Sequence, residues 1–452
     1  MEKSTQDKKP FLYREVPPAV SRALALVLLL ALFCSLFSCS LLQALPPAGG
    51  SRANSSAKSV LQYTGEELPA FDREKFRQVE RLVDLRSVYD YSDKESLAEA
   101  MMSCYRETFA EKIDTADPSA VTDALLVSFI TALGDPYAYY RTAEEYEEYN
   151  TDMSGQFFGI GVTVRYNAQE ETVRVVEVFE DSPAEAAGIL VGDYLIGVDG
   201  ESLQDLGYEN MIRRIRGEKD TAVQILLRRG DEEFIVSPVR GPVLEKNVSY
   251  EIKDRIGYIR ISAFKEVTAG QFAEAFAACK AAGVSGVIFD LRNNPGGYLD
   301  SVVEIISYLI PDGVQVVSFG DYAAPLLSDD KTEGDETLDV PCVVLCNEQT
   351  ASAGELFTSA VRDFATEEFS YLSATVVGAT TFGKGIMQTT YTFADRSALT
   401  LTVAFYNPPS GVNYHGIGIV PDVQIEDDPE TEADEQLDRA YEILAALSVS
   451  AA

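Results

Sequence analysis

One stretch, Pro341 to Gln388, limits what this chain can fold into more than any other. Cys342-Val343-Val344-Leu345-Cys346 is an unbroken apolar run of strand length. A short polar turn, Asn347 to Ser352, separates it from Leu356, Phe357, Ala360, Val361 and Phe364, which recur on one face of a helix. Strand, turn and helix in that order put Ser352 at the carboxyl end of a strand and the first turn of a helix. Free backbone N–H groups and the positive end of the helix dipole face it there. Taken singly, a serine in that place is usually a cap. Further on, Phe382-Gly383-Lys384-Gly385 sets a lysine between two glycines, with Gln388 four residues later. A serine needs a base to become a nucleophile. The chain has one histidine, His415, in the loop Asn413 to Gly418, so a lysine is the first base to examine. Such a lysine must be neutral near pH 7, about three units below its usual value, at roughly 4 kcal/mol. Apolar Phe382 and the flanking glycines permit that burial, and Gln388 is placed to orient the amine.

With 452 residues the chain has room for about two or three domains with proper cores. Its net charge of −35 argues against nucleic acid and against broad adhesion to anionic lipid. Six cysteines are scattered, and Cys342 and Cys346 stand too far apart along one strand to bond each other. No cluster has metal-ligand spacing, so neither metal nor cofactor is expected.

Basic residues precede Ala23 to Leu45, an apolar run of 23 residues without charge or proline. That is long enough to span a bilayer. The expectation is a signal anchor with everything after it outside the cytoplasm; a cleaved signal or a lipid on Cys39 are the alternatives. Residues 1–60 are then tail, anchor and a flexible linker, and 61–153 read as a helical region. From about 154 to 242 the pattern turns to short alternating strands. From 243 to 426 strands alternate with helices, which predicts an α/β layer with parallel strands. There, Thr268 to Gln271 reads as a capping box opening a helix, and Leu299 to Ile310 as a second helix. Residues 427–452 are an acidic linker and a last helix.

The β-rich module contains Phe158-Gly159-Ile160-Gly161-Val162, followed by Asp181-Ser182-Pro183-Ala184-Glu185-Ala186-Ala187-Gly188 and Gly192-Asp193-Tyr194-Leu195-Ile196. A Gly-x-Gly turn before a strand leaves N–H groups free for a carboxylate, and the strand edge can pair with a peptide. The combination resembles a PDZ domain of the permuted bacterial kind. The turn Asn293-Asn294-Pro295-Gly296-Gly297 has glycines that let backbone N–H groups approach a reacting atom, as an oxyanion hole requires, although alone such a sequence is more often a plain turn.

Together, GDPYAYY (134–140), FGIGV, SPAEAAGI, GYIRISAF (257–264), DLRNNPGGYL (290–299), TASAGELF (350–357), FGKGIMQ (382–388) and GIGIVPDV (416–423) resemble the carboxy-terminal processing, or tail-specific, proteases. The marks run in order over about residues 125–425. The resemblance implies a crotonase-like ββα superhelical core with a β-rich cap and an inserted PDZ domain. It makes Ser352 the nucleophile, Lys384 the general base and Gln388 the residue that positions the lysine. It makes the N–H groups of Ala353 and of Gly296 or Gly297 the oxyanion hole, and peptides with a free carboxyl terminus the partners. It also leaves room for self-association through the helical ends. Two departures stand out: Gly354 replaces the family's usual serine, and Thr366 to Ser373 is longer than usual.

Overall fold

The computed structural model describes residues 58–450 apart from 66, 180, 320–329, 335–336 and 426–432. The apolar run 23–45 and much of the acidic linker lie outside the described residues. Among the described residues, no helix is long and apolar enough to cross a membrane.

Six strands form the central sheet in the order Val248–Lys253, Ile256–Ile261, Gly286–Asp290, Cys342–Cys346, Ala374–Gly378, Val423–Gln424. The first pair is antiparallel and the other four pairings are parallel. The unbroken apolar runs have a direct cause: both faces of the sheet are covered, so each alternate residue meets a core. Val287, Phe289, Cys342, Val344, Cys346 and Val376 point into the larger core, with helices Thr268–Ala282, Leu299–Ile306 and Ala353–Phe364. Ile288, Val343, Leu345 and Val377 point the other way, onto Ala440 and Leu444 of the last helix, Glu435–Ser450.

Two local readings need correction. The helix Thr268–Ala282 does open there, but Thr268 is already helical and no capping box forms. Its hydroxyl accepts from Lys265 N and donates to Ala263 O, while Gln271 Oε1 accepts from Asn247 N and Val248 N. Both side chains serve neighbouring segments instead of their own helix end. The helix from Leu299 is regular only to Ile306; Ser307 to Ile310 continue as turns.

A second sheet lies beside the core. Its long strand Ala398–Asn407 pairs with Ile386–Thr392, Gln315–Phe319 and Tyr139–Arg141. Through that last pairing, and through Val88 N donating to Thr402 O, the amino-terminal helices are stitched onto the core. These helices, Arg73–Arg86, Lys94–Thr108 and Pro118–Ala132, are capped by Asp72, Asp93 and Asp117.

The β-rich module has its own core, built from residues between Ile160 and Val236. Strands Gln156–Gly159 and Gly241–Leu244 pair antiparallel, so the chain leaves and re-enters the larger body at one place. Val162–Asn167 is the first strand of the module's sheet, with one edge unpaired by any described strand.

Candidate active site

The strand Cys342–Cys346 delivers the chain into the turn that carries Ser352. That turn is held by Thr350, whose hydroxyl donates to Leu291 O at 2.8 Å and accepts from Asn347 N at 2.9 Å. Ala351 N donates to Asn294 O at 2.9 Å. Ser352 then adopts φ 55°, ψ −116°, a conformation that L-residues rarely take and that costs about 1–3 kcal/mol. The neighbouring bonds over-determine it, and the strain presents the serine ahead of the helix Ala353–Phe364 instead of within it. Its hydroxyl is fully buried and has no hydrogen-bond partner among the described residues. It faces the Tyr406 hydroxyl without a bond of ordinary geometry. The serine hydroxyl therefore makes no capping bond of ordinary geometry, and the helix end closes instead through Glu355 Oε2 on Ser352 N, as in a capping box.

Lys384 arrives from the opposite side. Gly383 must be glycine: its φ is +92°, and a Cβ would come within 2.9 Å of Gly418 N. That close approach folds the loop in, leaving Lys384 only 3 % exposed. Its carbonyl accepts from the Tyr406 hydroxyl at 3.0 Å, and Tyr406 in turn accepts from the Tyr414 hydroxyl at 2.9 Å. The ammonium lies over the ring of Tyr137, 4.3 Å from its centre. Gln388, 1 % exposed, donates from Nε2 to Thr402 Oγ1 at 3.2 Å. Its Oε1 is buried without a partner among the described residues.

What joins the two halves is Glu355, which the sequence reading missed. This wholly buried carboxylate accepts four hydrogen bonds. On Oε2 these come from Ser352 N at 2.8 Å and Lys384 N at 2.7 Å. On Oε1 they come from Thr381 Oγ1 and Gly383 N, both at 2.6 Å. One oxygen therefore holds both backbone nitrogens, which lie no further apart than those two bonds laid end to end. Burial raises the carboxyl's pKa above its ordinary range, and the four donors oppose that shift. The spacing Ser352-x-x-Glu355 is that of a capping box and was the one available signal.

The turn Asn293–Gly297 comes alongside through Asn294. Its Nδ2 donates to Ile261 O at 2.8 Å, and its Oδ1 accepts from Gly296 N at 2.7 Å. The N–H of Gly296 is thus occupied, whereas neither Gly297 nor Ala353 donates its N–H to any described group. Gly297 has φ +145°, and a Cβ would sit 2.0 Å from Phe264 O. Only glycine fits there.

The two sequence departures lie differently. Gly354 backs onto Asn294, 3.2 Å from its carbonyl oxygen to an added Cβ. Thr366 to Ser373 packs Phe369 and Tyr371 on Phe364, at the far end of the helix from Ser352, so it does not shape the site. His415 stands edge-on to Phe405 with its pKa lowered by burial and by the nearby charge of Lys384. Among the described residues no group of His, Cys, Asp and Glu could hold a metal. Of the residues Phe158 to Val162, Phe158 and Gly159 end the strand Gln156–Gly159 and Val162 begins the module's first strand. Gly161 there has φ +78° with Ser182 pressed against it.

Known proteins resemble this chain in sequence and fold. Residues 255–425 match peptidase family S41 and residues 174–229 match the PDZ domain. Over 310 residues the chain is 36% identical to a probable CtpA-like serine protease of Staphylococcus haemolyticus, covering 68% of this chain and 60% of that protein. A probable CtpA-like serine protease of Staphylococcus aureus (strain N315) is 35% identical over 313 residues, 69% of this chain and 61% of its own length. A putative S41 protease from Bacteroides fragilis shares the fold, with TM-score 0.51 and 16% identity over 82% of this chain and 97% of its own. The likeness to a peptidase family falls on the α/β core, and the likeness to the PDZ domain falls on the β-rich module. The chain is thus similar to peptidase family S41 over residues 255–425 and to CtpA-like serine proteases over about 310 residues. It spans about three fifths of the length of the curated relatives it matches.

Proposed function

We propose that this chain cuts proteins near their carboxyl termini with Ser352 as nucleophile and Lys384 as general base. The observation that carries the reading is the single Glu355 oxygen shared by the backbone N–H groups of both residues. The backbones of a buried serine and a buried lysine from distant segments meet on that oxygen. Ser352 Oγ attacks the scissile carbonyl carbon while Lys384 Nζ takes its proton. The N–H groups of Gly297 and Ala353 receive the oxyanion. The ammonium then protonates the departing amine, and water, deprotonated by the same lysine, releases the acyl group. Gln388 Oε1 is the acceptor that steadies the amine between these steps.

Substrate enters by its tail. The N–H groups of the turn at Phe158, Gly159, Ile160, Gly161 and Val162 take the terminal carboxylate, and the tail adds to the free edge of Val162–Asn167. The apolar run 23–45 tethers the enzyme to the membrane with its catalytic part outside the cytoplasm.

The test is a panel of peptides differing at the carboxyl end, with mass spectrometry to locate the cuts. Ser352→Ala, Lys384→Ala and Lys384→Arg should each abolish cleavage while the protein melts as before. The losses should not add, because the groups act as one unit. More than a few per cent of activity in Lys384→Arg would refute the base, since guanidinium keeps its proton. Equal cleavage of amidated and free-acid peptides would refute the tail reading alone.

A further inference from the structure

The contact between Lys384 and Tyr137 has no place in the steps above, and it runs against them. An aromatic face attracts an ammonium, not a neutral amine. A base must lose its proton before it can take one from serine. The ring at 4.3 Å therefore favours the form of Lys384 that cannot act. The two atoms that the lysine has to meet, Ser352 Oγ and Gln388 Oε1, are both buried and without partners among the described residues. This is the geometry of a lysine held aside.

The ring's own placement is firm. Tyr137 N donates to Asp135 Oδ1 at 2.9 Å, and two residues later the chain enters the strand paired with Ala398–Asn407. Burial and the charge of Asp135 push the Tyr137 hydroxyl up to about 12, so the ring stays neutral.

We propose that Tyr137 is a positioning residue that holds Lys384 as an ammonium against its ring in the resting enzyme, and so sets the pH at which the Ser352–Lys384 dyad becomes active. The proposal rests on the dyad reading. The groups around the pair come from several elements: Asp135 and Tyr89 beside Tyr137, Glu355 from the helix, Tyr406 from the long strand, and His415 from the loop after it. Glu355 is engaged by four donors. His415, its pKa lowered, is neutral where a lysine titrates, and if charged it would repel the ammonium instead of holding it.

The ring's effect has opposite signs on the two sides of the profile. Below the midpoint the resting lysine is charged, and the ring stabilises the ground state more than the partly protonated transition state. Above it the resting lysine is neutral, and the ring helps only the transition state. A merely structural residue would have no such crossing.

A fluorophosphonate probe reads this directly: Ser352 Oγ bonds to phosphorus, fluoride leaves, and the serine proton passes to Lys384. Labelling rates of the full-length chain are measured from neutral to alkaline pH. In Tyr137→Leu the midpoint should fall by about one pH unit, with labelling at neutral pH up to about ten-fold faster and the alkaline plateau no higher. Tyr137→Phe, which keeps the ring, should keep the wild-type midpoint. A uniform loss at all pH values, an unmoved midpoint, or an equal shift in Tyr137→Phe overturns the proposal. Should Tyr137→Leu fail to fold, trifluorophenylalanine at position 137 keeps the shape and weakens the ring's attraction; an unmoved midpoint there overturns it equally. If Ser352→Ala still labels, the dyad reading has failed. If it does not label and the midpoints coincide, only Tyr137 has been misread.

Discussion

Replacing Glu355 by glutamine changes one oxygen into an NH2 group and almost nothing in volume, so it isolates the hydrogen-bond knot. The four donors sit two on each oxygen. An amide nitrogen at the Oε2 position would confront Ser352 N–H and Lys384 N–H together. At the Oε1 position it meets Gly383 N–H and Thr381, whose hydroxyl can turn and accept while still holding Ile419 N. The second orientation is the cheaper. It still leaves Gly383 N–H buried and unpaired, at about 1–3 kcal/mol, and the remaining bonds lose their charge assistance. A total of roughly 3–4 kcal/mol follows, or a melting temperature lower by about 6–15 °C for a body of this size. The larger effect is on catalysis. A strained Ser352 backbone and the Lys384 loop both lose a fixed anchor, and a shift near 1 Å costs on the order of 100-fold. Steady-state kinetics on a cleavable peptide, run well below the melting transition, should show kcat reduced by at least that factor with KM little altered. If Glu355→Gln keeps more than about a tenth of wild-type kcat, the knot does not position the dyad and the reasoning is wrong.

Other perturbations test neighbouring parts. Gly297→Ala would put a methyl group 2.0 Å from Phe264 O, breaking the Tyr298 N to Phe264 O bond of 2.6 Å; kcat should fall about 100-fold or more, and a loss under about ten-fold would remove Gly297 from the oxyanion hole. Arg292→Leu leaves the fully buried Asp290 with the backbone N–H of residue 292, the Tyr258 hydroxyl and a distant Arg260, and releases Asp434 ahead of the last helix. It should cost about 3–5 kcal/mol, with faster hydrogen exchange along 435–447; an unchanged melt would contradict it. Acid should inactivate before it unfolds. The folded state raises the Glu355 pKa above its ordinary 4.5, so protonation at this site favours the folded chain, and its contribution to stability declines as pH rises through that interval. Protonation nevertheless puts an O–H where N–H donors point and loosens the knot. Fluorophosphonate labelling and melting temperature followed together downward from neutral pH should separate, labelling falling below the one-proton slope that Lys384 imposes while the melting temperature holds. Loss of both at one pH would contradict this account.

Those parts of the molecule whose causes are local are legible in the amino-acid order. Cys342 to Cys346 could only be a strand covered on both faces, because any other placement would expose that run to water. The order strand, turn, helix then put Ser352 at a helix entrance, and Gly297 and Gly383 stand where no Cβ fits. Periodicity also separated the β-rich module from its surroundings, since alternation at period two and at helical period are different signals. What the sequence left open depended on contacts between distant segments. Ser352, taken singly, reads as an ordinary cap until Asn294 and Glu355 hold the turn at φ 55°. Gly296 and Gly297 were equivalent on paper; Asn294 Oδ1 takes up one N–H and leaves the other. Glu355, separated from Lys384 by 29 residues, drew no reading of its own, and only the fold carries the lysine loop onto it. Tyr137 stood in the sequence only as part of GDPYAYY, because its contact with Lys384 comes from a strand pairing that lays an amino-terminal turn against the core. Chain segments choose their own conformations through local sterics and burial pattern. Which polar atoms face one another inside is decided only when the segments pack, and in this protein the chemistry resides in those facing atoms.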